Sequence, residues 1–347
     1  MSISTATARN RSGIIAIVVT LTLILGLLSG CASTTPASTP TPTPAQDTSI
    51  TVTDMNGREI TLPAPAVRIV AVSPADCEIV AALAPDVLVG RGTYCNWPEE
   101  ILDVPVITSG SGLSAEQIVA LEPDLVIMSS MNHTTEQVEL LERAGLIVVT
   151  TASGDIAGVY TAIKLIGDVL GESENAEGMT SFMTTYFQYI VDKVSEKDLN
   201  GANVYFEVSP LEYGLWAAGK GTFMDEIAMI LGLENAFADI ERWKGVSQEQ
   251  VIERDPDYII TSTMYSGEGP LPEEEIMARE GWGDMSAVVN GTVFHAKDDE
   301  ITRPGPRLML ATSVLYTLIY GEDISPADVG TVDGVAYIDG VFTFSAE

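Results

Sequence analysis

From Val67 onward the chain alternates two hydrophobic rhythms. Short runs rich in β-branched residues, RIVAVS (68–73), VLVG (87–90) and DLVIMSS (124–130), read as buried strands. Between the first two, DCEIVAAL (76–83) reads as a helix. Strands separated by helices predict βαβ units and a mostly parallel sheet. Farther along, Ile156, Val159, Tyr160, Ile163, Ile166, Val169 and Leu170 recur every three or four residues, which is one apolar helix face. A second helical run covers about 179–194.

The pattern also repeats itself. LSAEQIVALEPDLVI (113–127) and VSQEQVIERDPDYII (246–260) align without a gap and match at Ser, Glu, Gln, Pro, Asp and the final Ile. Each reads as a helix start, a Pro-Asp turn and a strand. Ser114 with Gln117, and Ser247 with Gln250, have capping-box spacing, and Glu116 or Glu249 then projects from the helix terminus. The expected fold is α/β: two βαβ lobes with mostly parallel sheets, joined by one long rigid helix. The expected boundaries are an N-terminal lobe at 50–153, bridging helices at 154–198, a C-terminal lobe at 199–325 and a tail at 326–347. In that tail GVAYIDGVFTFS (334–345) predicts a hairpin turning at Asp-Gly.

The first fifty residues change the picture. Arg9 and Arg11 precede an uncharged run ending in Leu28-Ser-Gly-Cys31, the pattern of a secretory signal over residues 1–30. Leu-Ser-Gly-Cys resembles the lipobox of bacterial lipoproteins, which implies lipidation of Cys31 and a lipid anchor to the bacterial cell membrane. Residues 31–49 are almost wholly Ala, Ser, Thr and Pro after the cysteine, the composition of an extended, disordered tether. The chain is therefore expected to work outside the membrane.

Charge and chemistry narrow the class. The 347 residues carry 49 acids against 17 Lys and Arg, a formal net charge of −32, which repels nucleic acid and anionic lipid. GLWAAGKG (214–221) approaches a phosphate-binding loop but ends in Gly221 where Ser or Thr must hold magnesium. His133 and His295 stand far apart without a compact acid or cysteine cluster, too few ligands for a dedicated metal site. No catalytic motif or convincing acid/base pair appears, so an enzyme is not expected and no cofactor is called for. A cell-surface hydrolase and a transition-metal receptor remain the alternatives.

YCNWPEE (94–100), the two Ser-x-Glu-Gln helix starts, WAAGKGTFMDEIAMILGLENAF (216–237) and EITRPGPRL (300–308), in that order, resemble the extracytoplasmic substrate-binding proteins of ABC importers for vitamin B12 and ferric siderophores. The resemblance runs from about Val67 to Gly321. It implies capture of a corrinoid (cobalamin or cobinamide), a ferric siderophore or haem between two lobes, and delivery to a permease dimer. It also implies that Glu116 and Glu249 dock onto permease arginines. The regions where cobalamin binders often add aromatics read SGSG (109–112) and MSSMN (128–132), which leaves the ligand open among these classes.

In α/β lobes the cleft forms at the carboxyl ends of strands. The loops expected there are 73–76, 94–97 and 129–133 in one lobe, and 216–220, Trp243, 263–265 and 298–303 in the other. Tyr94, Trp97, Trp216 and Trp243 are the candidate walls for a large flat ligand. The resemblance implies Asp299 and Arg303 as polar contacts at its periphery, where Arg can donate a fork of hydrogen bonds, and Arg307 is expected to support the following helix. Cys77 and Cys95 fall at one sheet edge and form a candidate disulfide in an oxidising compartment.

Overall fold

The computed structural model describes residues 48–345 apart from Asp198, Ser266 and Lys297. The signal segment, Cys31 and nearly all of the tether lie outside the described residues. An entry hairpin of β1 (Ile50–Thr53) and β2 (Glu59–Leu62) leads into the N-terminal lobe. That lobe runs β3 (Ile69–Ala71), α1 (Pro74–Leu83), β4 (Leu88–Gly92), β5 (Val106–Ile107), α2 (Ala115–Ala120), β6 (Leu125–Ser129), α3 (Thr135–Arg143) and β7 (Val148–Thr151). Its sheet has the order β5-β4-β3-β6-β7 and is parallel throughout.

Two helices follow, α4 (Ile156–Leu170) and α5 (Ser173–Ser195). Asp155 caps the first, accepting from Gly158 N at 2.7 Å. Gly171, at φ 76°, ends it in the left-handed conformation that lets the chain reverse into α5. A Cβ on Gly167 would lie 2.4 Å from that of Ala176, so the glycine lets the two helices approach closely. α5 starts at Ser173, earlier than the apolar periodicity indicates. Its first turns face their neighbours with Ala176 and Gly178, small residues that carry little periodic signal.

The C-terminal lobe comprises β8 (Asn203–Glu207), β9 (Trp216–Ala218), α6 (Phe223–Ile230), β10 (Glu234–Asn235), β11 (Trp243–Gly245), α7 (Gln248–Arg254), β12 (Tyr258–Thr261), α8 (Pro272–Met277), α9 (Ser286–Asn290), β13 (Val293–His295), α10 (Asp298–Ile301) and α11 (Leu308–Tyr320). β8, β10, β12 and β13 pair in parallel, while β9 and β11 add an antiparallel edge. The tail is more than the expected hairpin. β14 (Thr331–Val332), β15 (Val335–Ile338) and β16 (Val341–Phe344) form a three-stranded antiparallel sheet, and Phe342 meets Phe182 of α5 edge-on at 5.8 Å.

Side-chain alternation explains the layering, because successive residues of a strand point to opposite faces. Ile69, Ala71, Leu125, Ile127 and Val149 join one continuous core with α4 and α5, while Val70, Val72, Val126, Met128 and Val148 form a separate outer core. The other lobe behaves alike. Val204, Phe206 and Ile260 enter the shared core, and Tyr205 and Ile259 enter a second outer one.

Candidate functional site

Parallel strands bring several carboxyl ends to one edge of each sheet, and the loops leaving those edges carry exposed apolar side chains. Tyr94 follows β4 and Met131 follows β6; Tyr213 lies between β8 and β9, Trp216 opens β9, and Met264 and Tyr265 follow β12. Large apolar groups left in water at the ligand-binding edge of both sheets point to an apolar ligand. Tyr213 was not legible in the sequence, where it reads as an ordinary turn aromatic before Gly214.

Buried charges hold these loops from beneath. Arg91, at the end of β4, donates to the carbonyls of Cys95 (2.6 Å), Leu102 (2.9 Å) and Val104 (3.1 Å), fixing the segment that presents Tyr94. A Cβ on Gly92 would lie 2.0 Å from Val72 O, so only glycine lets this strand end pass β3. In the other lobe Glu207 accepts both Nη donors of buried Arg279, at 2.8 and 3.1 Å, and the guanidinium lies 4.3 Å from the Trp282 ring centre. Glu207 forms the base of a hollow of about 300 Å³, bounded by Leu211, Met264, Tyr265 and Glu275.

The wall residues expected from sequence separate into two groups. Trp243 packs its half-buried ring on Phe223 at 5.5 Å, beside a seam where Phe223 N donates to Gly154 O at 3.0 Å. Gly154 follows β7 in the opposite lobe, so Trp243 stands near the meeting of the lobes, although much of its ring is committed to packing. Trp97 departs from Tyr94. It packs beside Arg307, 5.1 Å from the guanidinium to the ring centre, and lines a separate cavity with the end of α1 and the tail sheet.

Asp299 and Arg303 are likewise engaged elsewhere. Buried Arg303 donates to Glu78 Oε1 at 3.1 Å and Asn96 Oδ1 at 2.6 Å, and pairs with Asp299. Arg307 donates through Nε and Nη2 to Glu78 at 3.0 and 2.7 Å, and Asn96 donates to Asp299 at 2.9 Å. The arrangement is an ion cluster clasping the two lobes. Arg307 supports this clasp through its side chain while its backbone occupies the N-cap of α11. Glu78 was missed because an acid in a helix reads as surface. Its otherwise apolar surroundings in DCEIVAAL were the available signal.

The chain matches the periplasmic binding protein family over residues 69–300, most of its length. It belongs to the periplasmic binding protein family. An uncharacterized ABC transporter substrate-binding lipoprotein of Bacillus subtilis (strain 168), YvrC, is 29% identical over 279 residues, covering 79% of this chain and 86% of that one. A vitamin B12-binding protein of Salmonella paratyphi A is 26% identical over 262 residues, covering 74% and 92%. The apo structure of the periplasmic heme-binding protein RhuT from Roseiflexus sp. RS-1 has a TM-score of 0.65 and 25% identity, covering 73% and 98%.

This periplasmic binding protein is thus the extracytoplasmic substrate-binding component of an ABC transporter, and not an enzyme. Among the described residues no helix is long and apolar enough to cross a membrane. Glu116 and Glu249 are both exposed in the first turns of α2 and α7. The repeat holds in geometry. Glu122 and Asp255 take positive φ (47° and 41°) before their prolines, and Asp124 and Asp257 accept from Val67 N and Asn203 N at 3.1 and 2.9 Å. The capping boxes differ. Ser247 closes one with Gln250, whereas the Gln117 side chain accepts from Thr108 N at 2.8 Å instead of from Ser114.

Cys77 and Cys95 do approach one another, as the topology requires, but as free buried thiols, which corrects the expected bridge. Cys77 Sγ donates to Ala71 O at 3.4 Å, and Cys95 Sγ lies 3.9 Å from the same oxygen. Burial first, and then the neighbouring thiol, push the Cys77 pKa up and keep it protonated. Next to it Asp76 is fully enclosed. It accepts from Thr151 Oγ1 at 2.9 Å, and its Oδ2 has no hydrogen-bond partner among the described residues. Burial lifts its pKa from 3.8 to about 7, against the lowering effect of the Thr151 and Ser73 hydroxyls.

Two outcomes follow from these buried groups. Glu78→Gln leaves two buried guanidiniums short of a counter-charge and should cost about 3 to 5 kcal/mol in chemical denaturation. For Asp76 the folded state binds the proton more tightly than the unfolded chain. Its contribution is therefore fully favourable below the unfolded pKa near 3.8 and is lost as pH rises through about 7. Asp76→Asn should accordingly stabilise the protein at pH 8 more than at pH 5, measured as the difference between urea unfolding curves at the two pH values. An equal effect at both would contradict the assignment.

Proposed function

We propose that this binding protein captures a large, flat metal chelate of the corrinoid class (cobalamin or cobinamide), or a ferric siderophore or haem, and delivers it to an ABC permease dimer. It does so while anchored to the membrane through lipid on Cys31. The observation that carries this reading is the set of exposed apolar side chains, led by Tyr94 and Trp216, at the carboxyl ends of both sheets. Aromatic rings offer large apolar area with little rotamer entropy to lose, which suits a macrocycle. The relatives named for vitamin B12 and heme support the same ligand classes. Glu116 and Glu249, one exposed acid on each repeat, are the proposed contacts to basic permease surfaces, where complementary charge sets orientation and speeds encounter.

Calorimetric titration with cobalamin, cobinamide, haem and a panel of ferric siderophores tests the reading. One class should bind with saturation and without turnover, and Trp216→Ala should weaken it by about tenfold or more. Binding by none of these would overturn the ligand assignment. Docking is read separately. Glu116→Ala combined with Glu249→Ala should leave ligand affinity unchanged and abolish uptake, and a loss of affinity in that variant would remove the docking role.

A further inference from the structure

Between the end of α1 and the tail sheet lies a cavity of about 410 Å³ that the function proposed above does not use. We propose that this cavity is a second small-molecule site, which takes an uncharged aromatic compound bearing a carbonyl-type acceptor. Its volume falls within the range of about 300 to 1,000 Å³ common to ligand sites, and such sites combine apolar walls with a few placed polar groups. Four aromatic side chains, Trp97, Tyr337, Phe342 and Phe344, supply walls. They come from the loop after β4 and from the tail sheet, and a Cβ placed on Gly340 would lie 3.7 Å from the Trp97 ring, so the tail turn and the indole are close neighbours. Flat surfaces of this kind favour a planar ring system over a branched aliphatic one.

The polar requirement comes from Arg307, which also lines the cavity. Its Nε and Nη2 are occupied by Glu78, and Nη2 also reaches Asp299 O at 3.4 Å. Nη1 has no hydrogen-bond partner among the described residues, so a nearly buried guanidinium retains donors for an occupant.

Charge decides between a neutral and an anionic acceptor. The positive charges of Arg303 and Arg307 are already balanced by Glu78 and Asp299 together, and Glu100 also borders the cavity. A carboxylate entering here would lose its hydration and meet two glutamates, whereas a neutral carbonyl accepts from Nη1 without that repulsion. The occupant would touch Trp97 and Arg307, so it would bear directly on the clasp between the lobes.

The matched pair 2-naphthamide and 2-naphthoate tests the site on the full chain by calorimetry. The expected result is saturable single-site binding of the amide, with the carboxylate weaker by about tenfold or more. Ala82→Phe places a ring in the cavity from α1 and should weaken amide binding by at least about tenfold, while Trp216→Ala, on the cleft side, should leave it unchanged. Should Ala82→Phe not fold, Val341→Trp at the exposed rim makes the same test by closing the mouth. The proposal is overturned if the amide does not saturate, if the carboxylate binds as tightly, if the cavity-filling variant binds normally, or if Trp216→Ala removes the binding.

Discussion

A single apolar core runs through both lobes, and the rest of the structure is arranged around that continuity. Each sheet gives one face to the core that α1, α4, α5, α6 and α11 share and keeps the other for its own outer helices. Separating the lobes would expose apolar surface along that shared core. At roughly 25 cal/mol per Å² of apolar surface, that is a larger penalty than a single ligand contact repays. Large hinge motion is therefore disfavoured by the core itself. The Glu78, Arg303 and Arg307 cluster acts on top of this as a positional device, since buried ion pairs contribute geometry more dependably than net stability.

The same core explains which features were legible in advance. Strands such as Ile69–Ala71 and Leu125–Ser129 are buried on both faces, so they read as unbroken apolar runs, and α4 declares itself by spacing because only one side of it meets polar surroundings. The paired helix starts were legible because a cap is a local interaction spanning three residues. The start of α5 was not, because close packing there uses small residues that hydropathy does not register.

The site was legible as a set of loops and less so as a set of roles. Asp299 and Arg303 have the polar character expected of ligand contacts, but their partners Glu78 and Asn96 lie more than two hundred residues earlier, and no local pattern announces a pairing at that range. Tyr94 and Trp97 share a segment of four residues and still diverge, because the loop is set by Gly92 and by Arg91 reaching three carbonyls from below. Cys77 and Cys95 illustrate the complementary case. Topology placed them together correctly, while their chemical state depended on the packing around Ala71.

The repeated Asp clamp has a mechanical consequence. Asp124 ties the end of the α2 turn to the entry of its lobe's first central strand, and Asp257 does the same for α7 in the other lobe. The short helices carrying Glu116 and Glu249 are thereby fixed to sheets that are themselves fixed to one helical spine. The separation of the two carboxylates is then a property of the frame of the protein, so the docking proposed for them would gauge that frame before it could sense what the cleft contains.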